Sequence, residues 1–155
     1  MIQEIFISNA FTKEGQPDGT DVAIIDPYTG CQLQCPYCFQ LNDVEWSKQI
    51  FINTNIAELI KNQISDIDED IYIGSKCDPY MQLEEKYHLT RQCLNVLSSC
   101  KNRVFINTKA DNKLVLQDVQ LLKSFNTPPT VLMGLSNIKQ AGNGKKIGQI
   151  NSYLF

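Results

Sequence analysis

The sequence predicts an α/β protein with a parallel sheet whose strands are joined by crossover helices. Short apolar or β-branched runs alternate with amphipathic segments, and the later runs recur at about the 30-residue spacing of a βαβ unit. This alternation favours a parallel sheet over separate layers of strands and helices. The predicted strands are residues 22–25, 71–73, 104–106 and 131–135, with a short extended stretch at 49–52.

Four amphipathic segments predict the helices between and after these strands. The first begins after Asn53 or Thr54, either of which can act as its N-cap, and Thr90 can cap the second. In each segment the apolar residues return at the spacing of one helix face. The segments cover residues 56–64, 89–100, 115–125 and 145–155.

The composition is that of an ordinary globular domain, and we expect residues 1–155 to form one domain. A hydrophobic fraction of 43% is sufficient for a buried core in a chain of 155 residues. The net charge of −3 gives no support to binding of duplex nucleic acid or an anionic membrane. The chain shows neither a secretory leader nor a membrane-spanning apolar stretch, so we expect a cytoplasmic protein with no membrane partner.

The cysteine loop, residues 31–38, carries the most specific signal in the sequence. Cys31, Cys35 and Cys38 have the spacing C-x3-C-x2-C and follow the first predicted strand. Thiolates are the soft ligands of iron–sulfur clusters, and three of them leave one iron of a four-iron cube open to an external chelator. Structural zinc would more naturally use two separated cysteine pairs or a histidine pair, and the chain has only His88. Zinc and unmodified core cysteines stay open as alternatives.

The cysteine loop resembles the signature of the radical S-adenosylmethionine (radical SAM) superfamily. This resemblance implies a [4Fe–4S] cluster on the three cysteines, with S-adenosylmethionine bound to the remaining iron through its amino and carboxylate groups. One-electron reduction, from a donor such as a flavodoxin or ferredoxin, then releases a 5′-deoxyadenosyl radical that abstracts hydrogen. Tyr37 stands where the superfamily has an aromatic residue near the adenine; the alternative is a plain core aromatic.

Four further segments resemble the spore photoproduct lyase-like (DNA repair photolyase-like) group, one of which is the helix start LTRQ at residues 89–92. Residues 26–31, DPYTGC, are similar to its NPY-x-G-C, residues 77–84, CDPYMQLE, to its T-D-P-Y-Q-P-x-E, and residues 108–110, TKA, to its T-K-S. The resemblance covers about residues 20–140 and implies a partial (β/α) barrel. The chain would supply about four β/α units, the N-terminal and cofactor-binding portion. We therefore expect either a fragment with little activity alone or completion by a partner chain or a second copy.

Polar residues at the predicted strand ends are the candidates for cofactor binding, because ligands of parallel sheets bind at the carboxyl ends of the strands. Ser75 and Asp78 suit the cationic amino group of S-adenosylmethionine, and Lys109 suits its carboxylate. Ser136 and Asn137 are weaker candidates for the carboxylate or the ribose. The alternatives are that Asp78 only organises the Asp-Pro-Tyr turn and that Lys109 is a solvated lysine.

Of the other three cysteines, one is expected near the site and two in the core. Cys77 lies near the expected site and is the candidate catalytic residue, as a hydrogen donor; a spare structural thiol is the alternative. Cys93 and Cys100 fall on an apolar helix face and are expected to be small core residues.

Three functions compete at this point. The leading one is a lyase-like radical SAM enzyme of unknown substrate, since fold and cofactor do not determine the substrate. The second is a non-enzymatic iron–sulfur electron-transfer protein, which would need a fourth cysteine. The third is a zinc-stapled interaction domain.

Overall fold

The computed structural model describes residues 1–35, 38, 40, 48–110 and 113–134. Within these residues the strands are β1 (Ile2–Ile5), β2 (Thr12–Gly15), β3 (Asp21–Ile25), β4 (Tyr28–Thr29), β5 (Ile50–Asn53), β6 (Asp70–Ile73), β7 (Val104–Thr108) and β8 (Thr130–Met133). The helices are α1 (Ile56–Gln63), α2 (Glu84–Tyr87), α3 (Leu89–Leu97), α4 (Leu114–Gln117) and α5 (Val119–Lys123), and a 3-10 turn at Ile64–Asp66 follows α1.

The main sheet has the strand order β2-β3-β6-β7-β8. The pairs β3–β6, β6–β7 and β7–β8 are parallel, and β2 alone runs antiparallel, against β3. Within this sheet, each parallel strand thus lies beside the sheet's next strand along the chain, as expected for successive strand–helix units. The prediction of a mixed α/β fold with a mostly parallel sheet is confirmed, and among the described strands no pairing closes this sheet into a barrel.

The central strands are apolar mainly on the face that packs into the main core with the helices. Four of the five residues of β3 are buried, and Ile71, Ile73 and Ile106 of the neighbouring strands are fully buried. In β6 and β7 the buried residues alternate with half-buried ones, so the opposite face of these strands is less covered than the core face. The helices α1 and α3 pack against each other and bring Ile60 into the same core.

A second, smaller sheet has the order β1-β5-β4 and supports the segment that leads into the cysteine loop. Its strand β5 matches the predicted extended stretch, whereas its strands β1 and β4 were not predicted.

The strand β2 of the main sheet was not predicted either. Its residues, Thr-Lys-Glu-Gly, are mostly exposed and carry no apolar alternation. This strand forms because β3 offers it a row of backbone partners from Asp21 to Ile24.

The predicted N-cap of α1 is wrong, because the helix begins at Ile56 and Asn55 occupies the cap position. The Asn55 side chain does not cap. Its Oδ1 accepts the N–H of Ile7 at 2.9 Å and its Nδ2 donates to the carbonyl of Ile7 at 2.8 Å. The polar residues before α1 therefore fasten the N-terminal segment to the helix; the hydroxyl of Thr54, for example, donates to the carbonyl of Ile5.

The predicted cap of α3 is also wrong. Thr90 is the second residue of the helix, and its hydroxyl donates to the carbonyl of Pro79 at 2.6 Å. The carboxylate of Glu84 accepts the N–H groups of Thr90 and Arg91, both at 3.1 Å. A glutamate from the preceding helix thus satisfies two of the open N–H groups of α3.

The last predicted elements are only partly within the described residues. The segment 115–125 is divided at Asp118 into α4 and α5, and the fourth predicted strand is β8. The predicted helix at 145–155 lies outside the described residues. No helix in the described part of the chain is both long and apolar enough to span a membrane.

Candidate functional site

A cavity of about 520 Å³ lies at the carboxyl ends of the parallel strands. Its walls come from residues 74–78 after β6, residues 107–109 at the end of β7 and residues 132–134 at the end of β8. The three cysteines of the cysteine loop line the same cavity. This is the edge at which the sequence predicts the chemistry, and it is where ligands of parallel α/β sheets bind.

The three cysteines are half-buried, and the N–H of Cys38 donates to the carbonyl of Cys35 at 2.8 Å. Burial raises the pKa of the Cys31 thiol, which favours the neutral form when no cation is present. Within the described residues, no three His, Cys, Asp or Glu side chains are arranged to hold a metal ion. The cysteines therefore share one cavity without being gathered around one point.

Asp78 is buried and organises the loop between β6 and α2. Its Oδ1 accepts the N–H of Tyr80 at 2.9 Å and the hydroxyl of Thr108 at 2.8 Å, and its Oδ2 accepts the N–H of Lys109 at 2.6 Å. Desolvation raises the pKa of this carboxyl group, while the hydrogen bonds oppose the shift. The carboxylate ties the Asp-Pro-Tyr turn to the end of β7, so a ligand amino group would be an additional partner for it.

The other predicted cofactor residues differ in placement. Ser75 and Lys109 are exposed and line the cavity. Ser75 is the second residue after β6, and Lys109 is the first after β7. Tyr37, Ser136 and Asn137 lie outside the described residues. The structure thus brings Ser75, Asp78 and Lys109 to the same cavity as the cysteines.

Cys77 also lines the cavity, but it is buried, with a relative exposure of 5%. Its Sγ lies 3.6 Å from Oδ1 of Asp26, and it belongs to an apolar cluster with Tyr28, Ile52 and Met81. Burial, followed by the charge of Asp26, raises the pKa of the thiol well above its ordinary value. Cys77 is therefore held as an S–H group, not as a thiolate nucleophile.

Cys93 and Cys100 lie away from the cavity. Cys93 is fully buried in the main core, and Cys100 is half-buried, with its Sγ 3.7 Å from the carbonyl of Asn102 just before β7. Because Cys100 precedes the amino end of β7, it lies at the edge of the sheet opposite to the cavity. His88 is exposed and occupies the N-cap position of α3 with a φ of 51°.

Two buried tyrosine–carboxylate pairs in the described part of the chain were not predicted. The hydroxyl of Tyr28 donates to Oε2 of Glu84, and the hydroxyl of Tyr80 donates to Oδ2 of Asp118 at 3.0 Å. The guanidinium of Arg91 pairs with Oδ1 of Asp118 at 2.8 Å. Burial raises the pKa of both tyrosines and of both carboxyl groups. Both tyrosines follow an Asp-Pro dipeptide in the sequence, which was the available signal for a shared structural role.

Gly74 provides the sharp turn by which the chain leaves β6 and enters the cavity wall. Its φ is +81°, and a Cβ there would overlap the ring of Pro79 and lie 2.8 Å from the carbonyl oxygen of Asn107. We expect Gly74→Ala to lower the free energy of unfolding by about 3 kcal/mol, from left-handed backbone strain and overpacking together. Urea denaturation followed by circular dichroism measures the change.

Gly19→Ala is the matched control for that substitution. Gly19 has a similar φ of +84°, but nothing lies within 4 Å of its hypothetical Cβ. In this variant the free energy of unfolding should fall only by the cost of the left-handed backbone conformation, about 1 kcal/mol. Equal losses in the two variants would show that the contacts with Pro79 and Asn107 are unimportant.

Fold and site together define an α/β chain with a thiol-lined cavity at the carboxyl edge of its parallel strands. It is 32% identical over 129 residues to an uncharacterized protein of Methanocaldococcus jannaschii, a match that covers 79% of this chain and 47% of that protein. It is 26% identical over 110 residues to an uncharacterized protein of Mycobacterium tuberculosis, covering 63% of this chain and 32% of the relative. The chain thus spans about half or less of the length of these curated relatives. No protein-family profile and no solved structure matches it.

Proposed function

We propose that the chain is the cofactor-binding portion of a radical SAM enzyme whose partial barrel is of the spore photoproduct lyase-like kind. One observation carries the proposal: the three cysteines of the C-x3-C-x2-C loop line one cavity together with Ser75, Asp78 and Lys109. Thiol, hydroxyl, carboxylate and ammonium groups therefore meet at the carboxyl edge of the parallel strands. These are the groups that an iron–sulfur cluster and an amino-acid ligand would need.

The residues present fit a [4Fe–4S] cluster in their chemistry. Cys31, Cys35 and Cys38 are soft donors on one short loop, and the cavity volume lies within the range of about 300–1,000 Å³ of small-molecule sites. Because their side chains are not gathered around one point, we expect cluster binding to bring the three thiols together and to release protons from them.

Each side chain has a proposed task in this site. A bound and reduced cluster would supply the electron that cleaves S-adenosylmethionine to methionine and a 5′-deoxyadenosyl radical. Lys109 offers its ammonium to the carboxylate of S-adenosylmethionine, and Ser75, with Asp78 as a further acceptor, faces its amino group. Cys77, held as an S–H group, is the proposed hydrogen donor. The substrate is open, and the acidic charge balance gives no support to duplex DNA.

A second candidate, an iron–sulfur electron-transfer protein, is favoured by the placement of Cys77. Cys77 lines the same cavity as the three loop cysteines and could supply the fourth ligand of a cube, whereas Cys93 and Cys100 do not line it. The two functions differ in their response to Cys77→Ala. The radical SAM proposal predicts unchanged iron and sulfide content, and the electron-transfer candidate predicts loss of the cluster.

The proposal is tested by anaerobic reconstitution with iron and sulfide, followed by dithionite reduction in the presence of S-adenosylmethionine. We expect 5′-deoxyadenosine, detected by liquid chromatography and mass spectrometry, and none when dithionite is omitted. A cluster that never cleaves S-adenosylmethionine would contradict the proposal and favour electron transfer. Zinc in place of iron after anaerobic purification would favour a zinc-stapled interaction domain.

A further inference from the structure

The side chain of Lys109 lies directly against Gly134, the residue that follows β8. A Cβ on Gly134 would lie 2.7 Å from Cγ of Lys109, 3.1 Å from its Cε and 3.4 Å from its Cδ. Three carbons of the lysine stem therefore run along the bare Cα of this glycine. The φ of Gly134 is outside the left-handed region, so its backbone conformation does not require glycine. The contact with Lys109 is what excludes a side chain here.

Hydrogen bonds hold the backbone on both sides of this contact. The N–H of Gly134 donates to the carbonyl of Thr108 at 2.8 Å, which continues the pairing of β7 with β8. The N–H of Lys109 donates to Asp78 at 2.6 Å, and Asp78 also accepts the hydroxyl of Thr108. These bonds resist a shift of the backbone at either residue. We therefore expect a methyl group on Gly134 to displace the side chain of Lys109, whose Cγ would lie only 2.7 Å away.

We propose that Gly134 is a positioning residue that directs the ammonium of Lys109 into the cysteine-lined cavity. The bare Cα of Gly134 leaves room for the lysine stem at the end of β8, and Asp78 holds the backbone N–H of Lys109. Lys109 and Gly134 both line the cavity, so the ammonium of a lysine that packs against Gly134 is presented to an anionic group bound there. That the anionic group is the carboxylate of S-adenosylmethionine rests on the proposed function.

Binding of S-adenosylmethionine to the reconstituted full chain, measured by equilibrium dialysis, tests the proposal. We expect Gly134→Ala to weaken binding about tenfold, because misplacing one charged group is costly in a preorganised site. Iron and sulfide content should not change. In the Lys109→Ala background, Gly134→Ala should have no further effect, since the glycine acts only through the lysine.

Gly15→Ala is the control substitution. Gly15 lies on β2, away from the cavity lining, and a Cβ there would meet only Oδ1 of Asp21, at 3.6 Å, an ordinary contact. This variant should bind S-adenosylmethionine as the wild type does. If Gly134→Ala weakened binding equally with and without the lysine, the positioning role would be overturned. It would also be overturned if Lys109→Ala weakened binding and Gly134→Ala did not.

A second measurement does not depend on the proposed cofactor. Pulsed acetylation of the cluster-free protein, quantified by mass spectrometry, reports the accessibility of each lysine amine. Gly134→Ala should change the labelling rate of Lys109 and leave that of Lys86, an exposed lysine on α2, unaltered. If no variant, including the wild type, bound S-adenosylmethionine, the proposed function would fail. The labelling result would then decide the positioning role by itself, and an unchanged Lys109 rate would overturn it.

Discussion

Cys35→Ala is expected to leave the reconstituted protein with about tenfold less iron than the wild type, or lower still, and with no 5′-deoxyadenosine formation. Removing one of three thiolates leaves two on the loop, too few to hold three irons of a cube, and ligand loss costs affinity steeply. Iron and acid-labile sulfide per chain, together with the visible absorption of the cluster, measure the first effect. Mass spectrometry of the reaction products measures the second.

Cys100→Ala is the matched control, because it removes a thiol of the same protein from the opposite edge of the sheet. Cys100 is half-buried and does not line the cavity. Iron content and product formation should stay at the wild-type level in this variant. A Cys35→Ala protein that kept its full iron content would remove the basis for the proposed cluster site.

The second large effect concerns stability. Glu84→Ala should lower the free energy of unfolding by about 3 kcal/mol, because it leaves two buried donors and one partly buried donor without their acceptor. These donors are the hydroxyl of Tyr28 and the N–H groups of Thr90 and Arg91. Urea denaturation of the full chain, followed by circular dichroism, gives the value.

Glu85→Ala provides the comparison for that measurement. Glu85 is the next residue on α2, carries the same charge and is exposed. Its removal should be nearly neutral. A similar loss in both variants would mean that the buried network around Glu84 contributes little and that the helix α2 itself is the sensitive element.

The parallel strands were predictable because each has residues buried in the main core, so that local apolar runs such as Val22–Ile25 are sufficient evidence. The cavity was predictable for a related reason: parallel strands must all present their carboxyl ends at one edge. The polar strand β2 was not predictable, since its pairing depends on the open edge of β3 and not on its own residues.

Most of the contacts that the sequence did not predict are hydrogen bonds between residues that lie far apart in the chain. Glu84 caps α3 and accepts from Tyr28, which lies 56 residues away in the chain. No local pattern distinguishes Glu84 from Glu85, although only the first is buried. Likewise, Asp78 was an equal candidate for a ligand contact and for a turn. The hydrogen bonds to Thr108 and Lys109 became visible only once β7 was placed beside β6.

The antiparallel strand β2 occupies the side of β3 that faces away from the other parallel strands. It pairs with β3 along the whole of Asp21 to Ile24. A strand that continued the parallel series would therefore be added beside β8, whereas a strand added at the opposite end would meet β2 and not β3. Growth beside β8 would lengthen the rim on which the three thiols lie, because the carboxyl ends of the parallel strands form that rim.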